Sequence, residues 1–494
     1  MKPNLLLIVA LTLSAAVAIW GLVDNAGLTA FASEAVAIVF RSRAWFIMLT
    51  ASVLLGVCVW LAFSRYAHIR LGADDDRPEF STISWLTMLF AAGMGVGLLY
   101  FGAAEPLSHF LVIRDYENQY MAATQALFVT NFHWGLHAWA IYALTGLVIA
   151  YFSFRLGCPN LMSAPIERVF GGKVWAKALG WLSDLLAIYA IAIGVGGSIA
   201  LGVFQVQSGA EALFDFEAEG LALPLGLFVV LFVCWMLPLT VDLGTGMARL
   251  SNTALAIAVS LAIFVLLAGP TFFMMNGIVE AIGVYLAQVI PHGFKTYAFF
   301  DENVEEWFGA WTLNYMVWWL AWAPFVGVFI ARISRGRTIR EYIIGVILVP
   351  TAFSIFWFGV FGSVGFHLGV ENPAAMLDVL QNNIDGVTFF VLDRLPMSVL
   401  TTAATVIAAF LFIVTSVVSA GFVLGMFTTR GNPDPSVKVK LMWGVILGAL
   451  GLVMILSNSM QAVRAVIALG AIPLVYIVLI LVVCLLKALK REAV

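Results

Sequence analysis

Hydrophobic residues in this chain come in long blocks, without the alternation of strands or the heptads of a coiled coil. Twelve blocks are long enough to cross a bilayer as helices: 4–23, 44–64, 82–103, 122–154, 175–206, 221–241, 250–275, 309–331, 338–366, 397–429, 439–459 and 463–487. Several exceed the roughly 20 residues a span needs, which predicts tilted or kinked helices. Between the seventh and eighth blocks the pattern changes. There Ile278, Ile282, Leu286, Val289 and Ile290 are interleaved with Glu280, Gln288, His292 and Lys295 at helical spacing, one set opposite the other. That pattern predicts an amphipathic helix lying at the membrane surface. The first block follows Lys2 and could mimic a signal peptide, but it is long enough to span and a bundle follows, so it reads as a retained span.

Composition agrees with an all-α polytopic membrane protein. Of 494 residues 62% are hydrophobic and 11% charged, against about 25% charged in soluble domains. The net charge of −3 is too small to suggest a nucleic-acid partner. Cys58, Cys158, Cys234 and Cys484 are scattered and have neither metal nor disulfide-framework spacing. Charge placement sets the expected orientation. With the N-terminus inside and the spans alternating, all but six of the 25 lysines and arginines fall inside; the six are Arg41, Arg43, Arg114, Lys295, Arg394 and Arg464. The run Arg332 to Arg340 is the strongest inside signal, and both termini are expected in the cytoplasm.

Within this frame one stretch organises the chemistry: Trp318-Trp319-Leu320-Ala321-Trp322-Ala323-Pro324-Phe325-Val326-Gly327. Trp318 and Trp322 share a helix face and Trp319 sits beside them. An interfacial tryptophan belt belongs near span ends, and these indoles lie mid-span. They suit a cage for a quaternary ammonium, which donates no hydrogen bond and is held by ring quadrupoles. Pro324 and Gly327 predict a break in this helix near mid-membrane.

A second weak point is Ala91-Ala92-Gly93-Met94-Gly95-Val96-Gly97, where three glycines cost the helix roughly 3 kcal/mol. Gly93 and Gly97 suit close helix packing. Gly95 faces elsewhere and points to local unwinding, with backbone groups turned toward a midplane site. Glu105-Pro106 follows at the outer end of this span. In the fourth span Trp134, Trp139 and Tyr142 either complete the cage or simply pack. His133 and His137 are an i, i+4 pair with no third ligand nearby, which favours a hydrogen-bonded structural or gating role over metal binding. Thr415-Ser416 either back-bond to their own helix or offer oxygens to a cation. Interrupted helices at spans three and eight, five spans apart, are the expected sign of inverted repeats.

These segments resemble the betaine/carnitine/choline transporter family. The resemblance is carried by GMGVGLLYFGAAEP (93–106), WGLHAWAIY (134–142), YMVWWLAWAPFVGVFIARISRGRTIREY (315–342) and LFIVTS (411–416), in order over nearly the whole chain. It implies a LeuT-type fold of two inverted five-helix repeats, usually trimeric. Residues 1–80 would hold two N-terminal spans and an inside loop, and 81–275 the first repeat. Residues 276–308 would form the surface helix and loop, and 309–494 the second repeat. The implied substrate residues are Trp134, Trp139, Tyr142, Trp318, Trp319 and Trp322, with Met94, Gly95, Gly97 and Tyr100 of span three. The implied sodium ligands are carbonyls of Ala91, Met94 and Phe412 and hydroxyls of Thr415 and Ser416, which reverses the back-bonding reading of that pair.

Three departures shape the expectation. Choline-type members tend to carry Asp where Gly97 stands, so a zwitterion fits better than a cation. Ile191 and Val195 align with two threonines of a second sodium site, so one sodium is expected. Osmosensing members carry long charged tails, and few residues follow Lys490-Arg491 here, so weak osmotic activation is expected. The expected function is import of a zwitterionic quaternary ammonium or sulfonium compound, glycine betaine first, by sodium symport at the cell (inner) membrane. No cofactor is expected, and the partners are the substrate, sodium, the lipid bilayer and two further copies. The alternatives are a proton-coupled choline carrier or a sodium-independent antiporter. A membrane enzyme would need a polar catalytic cluster at a membrane face, and none is visible.

Overall fold

The computed structural model describes residues 4–93, 95–240 and 244–492. Among them every regular element is helical, apart from one antiparallel bridge between Arg70 and Thr338. The helices are α1 (Leu5–Val23), α2 (Asn25–Phe63), α3 (Thr82–Gly93), α4 (Val96–Ile113), α5 (Gln119–Trp134), α6 (Leu136–Ala150), α7 (Ser163–Phe170), α8 (Val174–Phe214), α9 (Ala222–Leu239) and α10 (Gly244–Ala268). They continue as α11 (Thr271–His292), α12 (Glu302–Phe308), α13 (Asn314–Ile333), α14 (Ile339–Glu371), α15 (Pro373–Asn382), α16 (Val387–Asp393), α17 (Ser398–Thr428), α18 (Val437–Leu456), α19 (Met460–Ala471) and α20 (Leu474–Glu492). Helix is what a chain this apolar must form, because lipid offers no partner to an open backbone. Two single π turns, Tyr151–Arg155 and Gly309–Leu313, follow α6 and precede α13.

Twelve helical stretches among the described residues are long and apolar enough to cross a membrane, and the pair α19–α20, bent by 40°, adds a thirteenth. The surplus over the predicted dozen is α11, read from the sequence as a surface helix. Its packed stripe is Met274, Ile278, Ala281, Tyr285, Val289 and His292, while Val279, Ile282, Leu286 and Ile290 are exposed. The expected polar and apolar faces are therefore rearranged. His292 from the polar set turns inward together with Ile278 and Val289 from the apolar set, because the helix also has to cover α5 and α14.

The centre of the bundle is the stretch from α5 through the first π turn, whose most apolar window is 94% buried; the corresponding windows of α1, α9 and α11 are each 28% buried and line the outside. Two breaks interrupt the inner helices. One separates α3 from α4, where Gly95 is extended (φ −119°, ψ −160°), next to Met94, which lies outside the described residues. The other separates α5 from α6 at Gly135, where the Tyr285 hydroxyl of α11 accepts from the backbone N–H of Leu136 at 2.8 Å. A side chain at Gly135 would collide with that phenol and with the carbonyl of Asn131.

The predicted break at Pro324 is not there. Helix α13 runs through Pro324 without interruption. Gly327 serves packing: a methyl on it would meet Thr145 and the backbone of Gly146 on α6 at 3.1 and 3.2 Å. A lost N–H frees only the carbonyl one turn back, and close neighbours hold the helix straight enough to absorb it.

At one end of the bundle the predicted inside loop closes on the segment after α2. Backbone bonds of 2.9 Å join Leu71 N–H to Arg337 O, Gly336 N–H to Leu71 O and Ile339 N–H to Ile69 O. The guanidinium of Arg337 lies 4.0 Å from the Trp85 ring centre, and Thr338 with Glu341 forms the capping box that starts α14.

Candidate functional site

The two breaks and α13 enclose a cavity of about 90 Å³ in the middle of the bundle. A water needs roughly 10–15 Å³ on this measure, so the space suits a small organic molecule. Its wall is formed by Gly95, Val96 and Gly97 at the start of α4, Trp134 and Tyr142 on either side of the α5–α6 break, and Tyr315, Trp318, Trp319 and Trp322 of α13. The opposite wall comes from α8 and α17, with Val195, Ser198 and Ile199 facing Phe412, Ile413 and Ser416. Among the described residues no acidic or basic side chain lines it.

The rings pack edge to face. Trp319 stands 5.4 Å from Trp134 at 89° and 5.0 Å from Tyr142 at 73°, centroid to centroid. Three of the rings have their polar edges tied to groups outside the cavity lining. The indole of Trp319 donates to the His133 carbonyl at 2.8 Å, and that of Trp134 donates to Glu105 Oε2 at 2.9 Å. The Tyr315 hydroxyl donates to the same oxygen. Ring faces are thus left for the ligand space. Trp322 is held differently: its indole N–H meets no acceptor among the described residues.

Several predicted residues sit elsewhere. Trp139 is wholly buried and does not line the cavity; it packs edge-on against Tyr142 at 5.6 Å. Tyr100 also lies outside the lining, because its hydroxyl is drawn to Asp385 in the connection between α15 and α16. Among the implied sodium ligands Phe412 and Ser416 reach the cavity wall. Thr415 does not: its hydroxyl donates to the Leu411 carbonyl at 2.9 Å and lies 3.2 Å from that of Phe412. Ala91 lies on α3, and Met94 is outside the described residues. Ile191 is buried in α8 and Val195 faces the cavity, so neither aligned position offers an oxygen, while Ser198, one turn on, does line it.

Sequence reasoning missed Tyr315, Ser198 and Glu105 as parts of this region. Glu105 carried the plainest signal: it was read just past the end of the third span, but it lies inside α4, where an ionisable residue is a functional suspect by default. His133 and His137 do not converge. His133 Nδ1 donates to Glu105 Oε1 at 2.7 Å, whereas His137 Nε2 lies 3.3 Å from Ser52 Oγ. Glu105, His109 and His133 cluster tightly enough to suggest a metal site. The indole N–H of Trp307, 3.1 Å from His109 Nδ1, argues against one. It makes that nitrogen the acceptor and puts the hydrogen on Nε2, where the metal would need a lone pair.

An uncharged, ring-lined cavity beside an unwound helix, inside a bundle of membrane-length helices, is the arrangement of a carrier of small organic molecules. The comparisons make this specific. The family model for the betaine/carnitine/choline family transporters matches residues 5–494, and the chain belongs to that family. It is 37% identical to the glycine betaine transporter OpuD of Bacillus subtilis, over 98% of this chain and 94% of that one. It is 32% identical to an ectoine/hydroxyectoine transporter of Virgibacillus pantothenticus, over 88% and 86% of the two chains. An osmo-dependent choline transporter of Acinetobacter baylyi is 34% identical, over 91% of this chain and 66% of its own.

Proposed function

We propose that the protein imports a zwitterionic quaternary ammonium or sulfonium compound, glycine betaine first, by symport with sodium through alternating access. The observation that carries this reading is a cavity lined by six indole or phenol rings and, among the described residues, by no charge. A ligand with one positive and one negative group brings its own neutrality to such a space. Its trimethylammonium is held by ring faces, each desolvated contact worth about 2 kcal/mol, so three or four rings supply roughly 6–8. Micromolar affinity needs about 8 kcal/mol. The carboxylate is left to the free amides at Gly95 to Gly97 and to nearby hydroxyls. A full cation such as choline would need a counter-charge that Gly97 does not offer.

Sodium coupling is supported by Phe412 and Ser416 standing on the same cavity as Gly95 and Gly97. Basic residues concentrated in alternate loops support an inner-membrane protein with both termini in the cytoplasm. A homotrimer follows the family expectation and is open to cross-linking. The deciding experiment is uptake of labelled glycine betaine into proteoliposomes. Accumulation that requires an inward sodium gradient is the expected result. Uptake that ignores sodium but exchanges with internal substrate would replace symport by antiport. Preferential uptake of choline driven by a proton gradient would overturn the substrate assignment as well.

A further inference from the structure

Behind the cage lies a carboxylate that no ligand in the cavity touches. Glu105 on α4 is wholly buried and does not line the cavity. Four donors surround its two oxygens. Oε1 accepts from His133 Nδ1 at 2.7 Å and lies 3.4 Å from His109 Nε2. Oε2 accepts from the Trp134 indole at 2.9 Å and from the Tyr315 hydroxyl. The surroundings fix the direction of these bonds. Trp307 makes His109 Nδ1 an acceptor, so His109 Nε2 carries the hydrogen toward Glu105. A carboxylate satisfied on every side in this way is held as an anion.

Holding a ring in place does not require an anion. Trp319 is held by a neutral carbonyl, that of His133. What Glu105 adds at Trp134 and Tyr315 is charge. A hydrogen bond to a carboxylate polarises its donor, and in a dry interior the field of the anion reaches across the ring. Both effects make the cavity-side face of each ring a better seat for a cation. A buried cation, Arg464, stacks on Trp311 at 4.1 Å and on Phe101 at 5.3 Å. Neither of those rings lines the cavity, whereas the carboxylate bonds directly to two that do.

We propose that Glu105 is a specificity-determining residue, a buried negative charge that acts through Trp134 and Tyr315 to favour a cationic headgroup over a neutral one of the same shape. The proposal rests on the cage reading above.

The test uses glycine betaine and its carbon isostere 3,3-dimethylbutanoate, which has the same outline and carboxylate but no positive charge. Both are titrated against the purified full chain and the Glu105→Gln variant. The amide keeps the size of the carboxylate, loses the charge and turns an N–H₂ toward donors. The expected result is that the wild type prefers glycine betaine and that the preference falls at least about fivefold in the variant. Equal weakening of both ligands would reduce Glu105 to a prop and overturn the proposal. A wild type that treats the two ligands alike would overturn the cage reading itself, a separate outcome. Should Glu105→Gln fail to fold, ultraviolet resonance Raman spectra of wild type and Trp134→Phe still decide. The difference spectrum is expected to contain a strongly hydrogen-bonded indole N–H, and a free one would overturn the proposal.

Discussion

Two helical segments that line the cavity treat their irregular residues in opposite ways. Between α3 and α4 a cluster of glycines opens the helix, and the extended Gly95 leaves backbone facing the ligand space. In α13 a proline and a glycine sit within one turn of each other, and the helix runs straight through. The difference lies in what surrounds them. At Gly95 a side chain added to the backbone would touch nothing among the described residues. Gly327 is pressed against α6. At these two places the helix opens where nothing presses on it and stays closed where a neighbour does, whereas at Gly135 it is a neighbour, Tyr285, that holds the chain open. One wall of the site therefore supplies loose backbone, and the other supplies fixed rings.

The sharpest way to break this comparison is to remove a ring. Trp319→Ala deletes the indole that touches both Trp134 and Tyr142. Glycine betaine affinity should fall by about 2 kcal/mol or more, roughly thirtyfold. Trp318→Ala and Trp322→Ala should act similarly, read as binding curves on purified protein. Wild-type affinity in two of the three, at normal expression, would end the cage reading.

The backbone wall is probed by Gly97→Asp. Its new Cβ would lie 3.3 Å from the far edge of Trp134, which brings a carboxylate to the cage. The choline-to-betaine preference should rise by about tenfold, because the anion attracts a lone cation and repels the carboxylate of a zwitterion. An unchanged ratio in competition uptake would place Gly97 outside the site.

A smaller effect concerns the ion. Ser416 lines the cavity, while Thr415 is bonded to its own helix. If sodium binds here, the Thr415 hydroxyl must turn toward the ion. Thr415→Ala should then raise the sodium concentration for half-maximal uptake several-fold, and Val195→Thr should hardly change it. One sodium crossing about 100 mV with a tenfold gradient yields roughly 3.7 kcal/mol, about 500-fold accumulation of a zwitterion. A reversal potential that reports two ions per substrate would contradict the single site.

The smallest expected change is that of Pro324→Ala. With α13 already continuous, uptake should stay within about threefold of wild type, and thermal stability should hold or rise slightly. A large loss of transport would show that α13 does hinge there.

These contrasts also show what the sequence can and cannot reveal. The opening at Gly95 was legible because three glycines in five residues weaken a helix, although the same density at Gly194, Gly196 and Gly197 leaves α8 unbroken where neighbours pack against it. The break at Gly135 was not. A lone glycine in an apolar run is ordinary, and its cause is a phenol on α11, about 150 residues further along the chain. The rings of α13 announced themselves by spacing, yet spacing alone could not show that Trp139 and Tyr100 turn away from the cavity. Each is held by a partner from a distant element, Trp139 against Trp319 and Tyr100 at Asp385. Helix α2 was read as 44–64 because Arg41 and Arg43 end the apolar run, but a helix outside lipid continues through charges, and it starts at Asn25.

The contact of Gly327 with Gly146 has a mechanical consequence. It joins α6, which bears Tyr142, to α13, which bears the three tryptophans, backbone against backbone, a short way along from the rings. Close approach of this kind leaves no side chain to slide or re-pack, so the two helices move as one block. Pulling one ring away from the others would first have to part the two glycines. The opposite wall is built differently, mostly from the aliphatic side chains of Val195, Ile199, Ile413 and Val417, with Ser198, Phe412 and Ser416 among them. A carrier built this way would carry its cage intact from one side of the membrane to the other and admit its passenger along the greasy wall facing it.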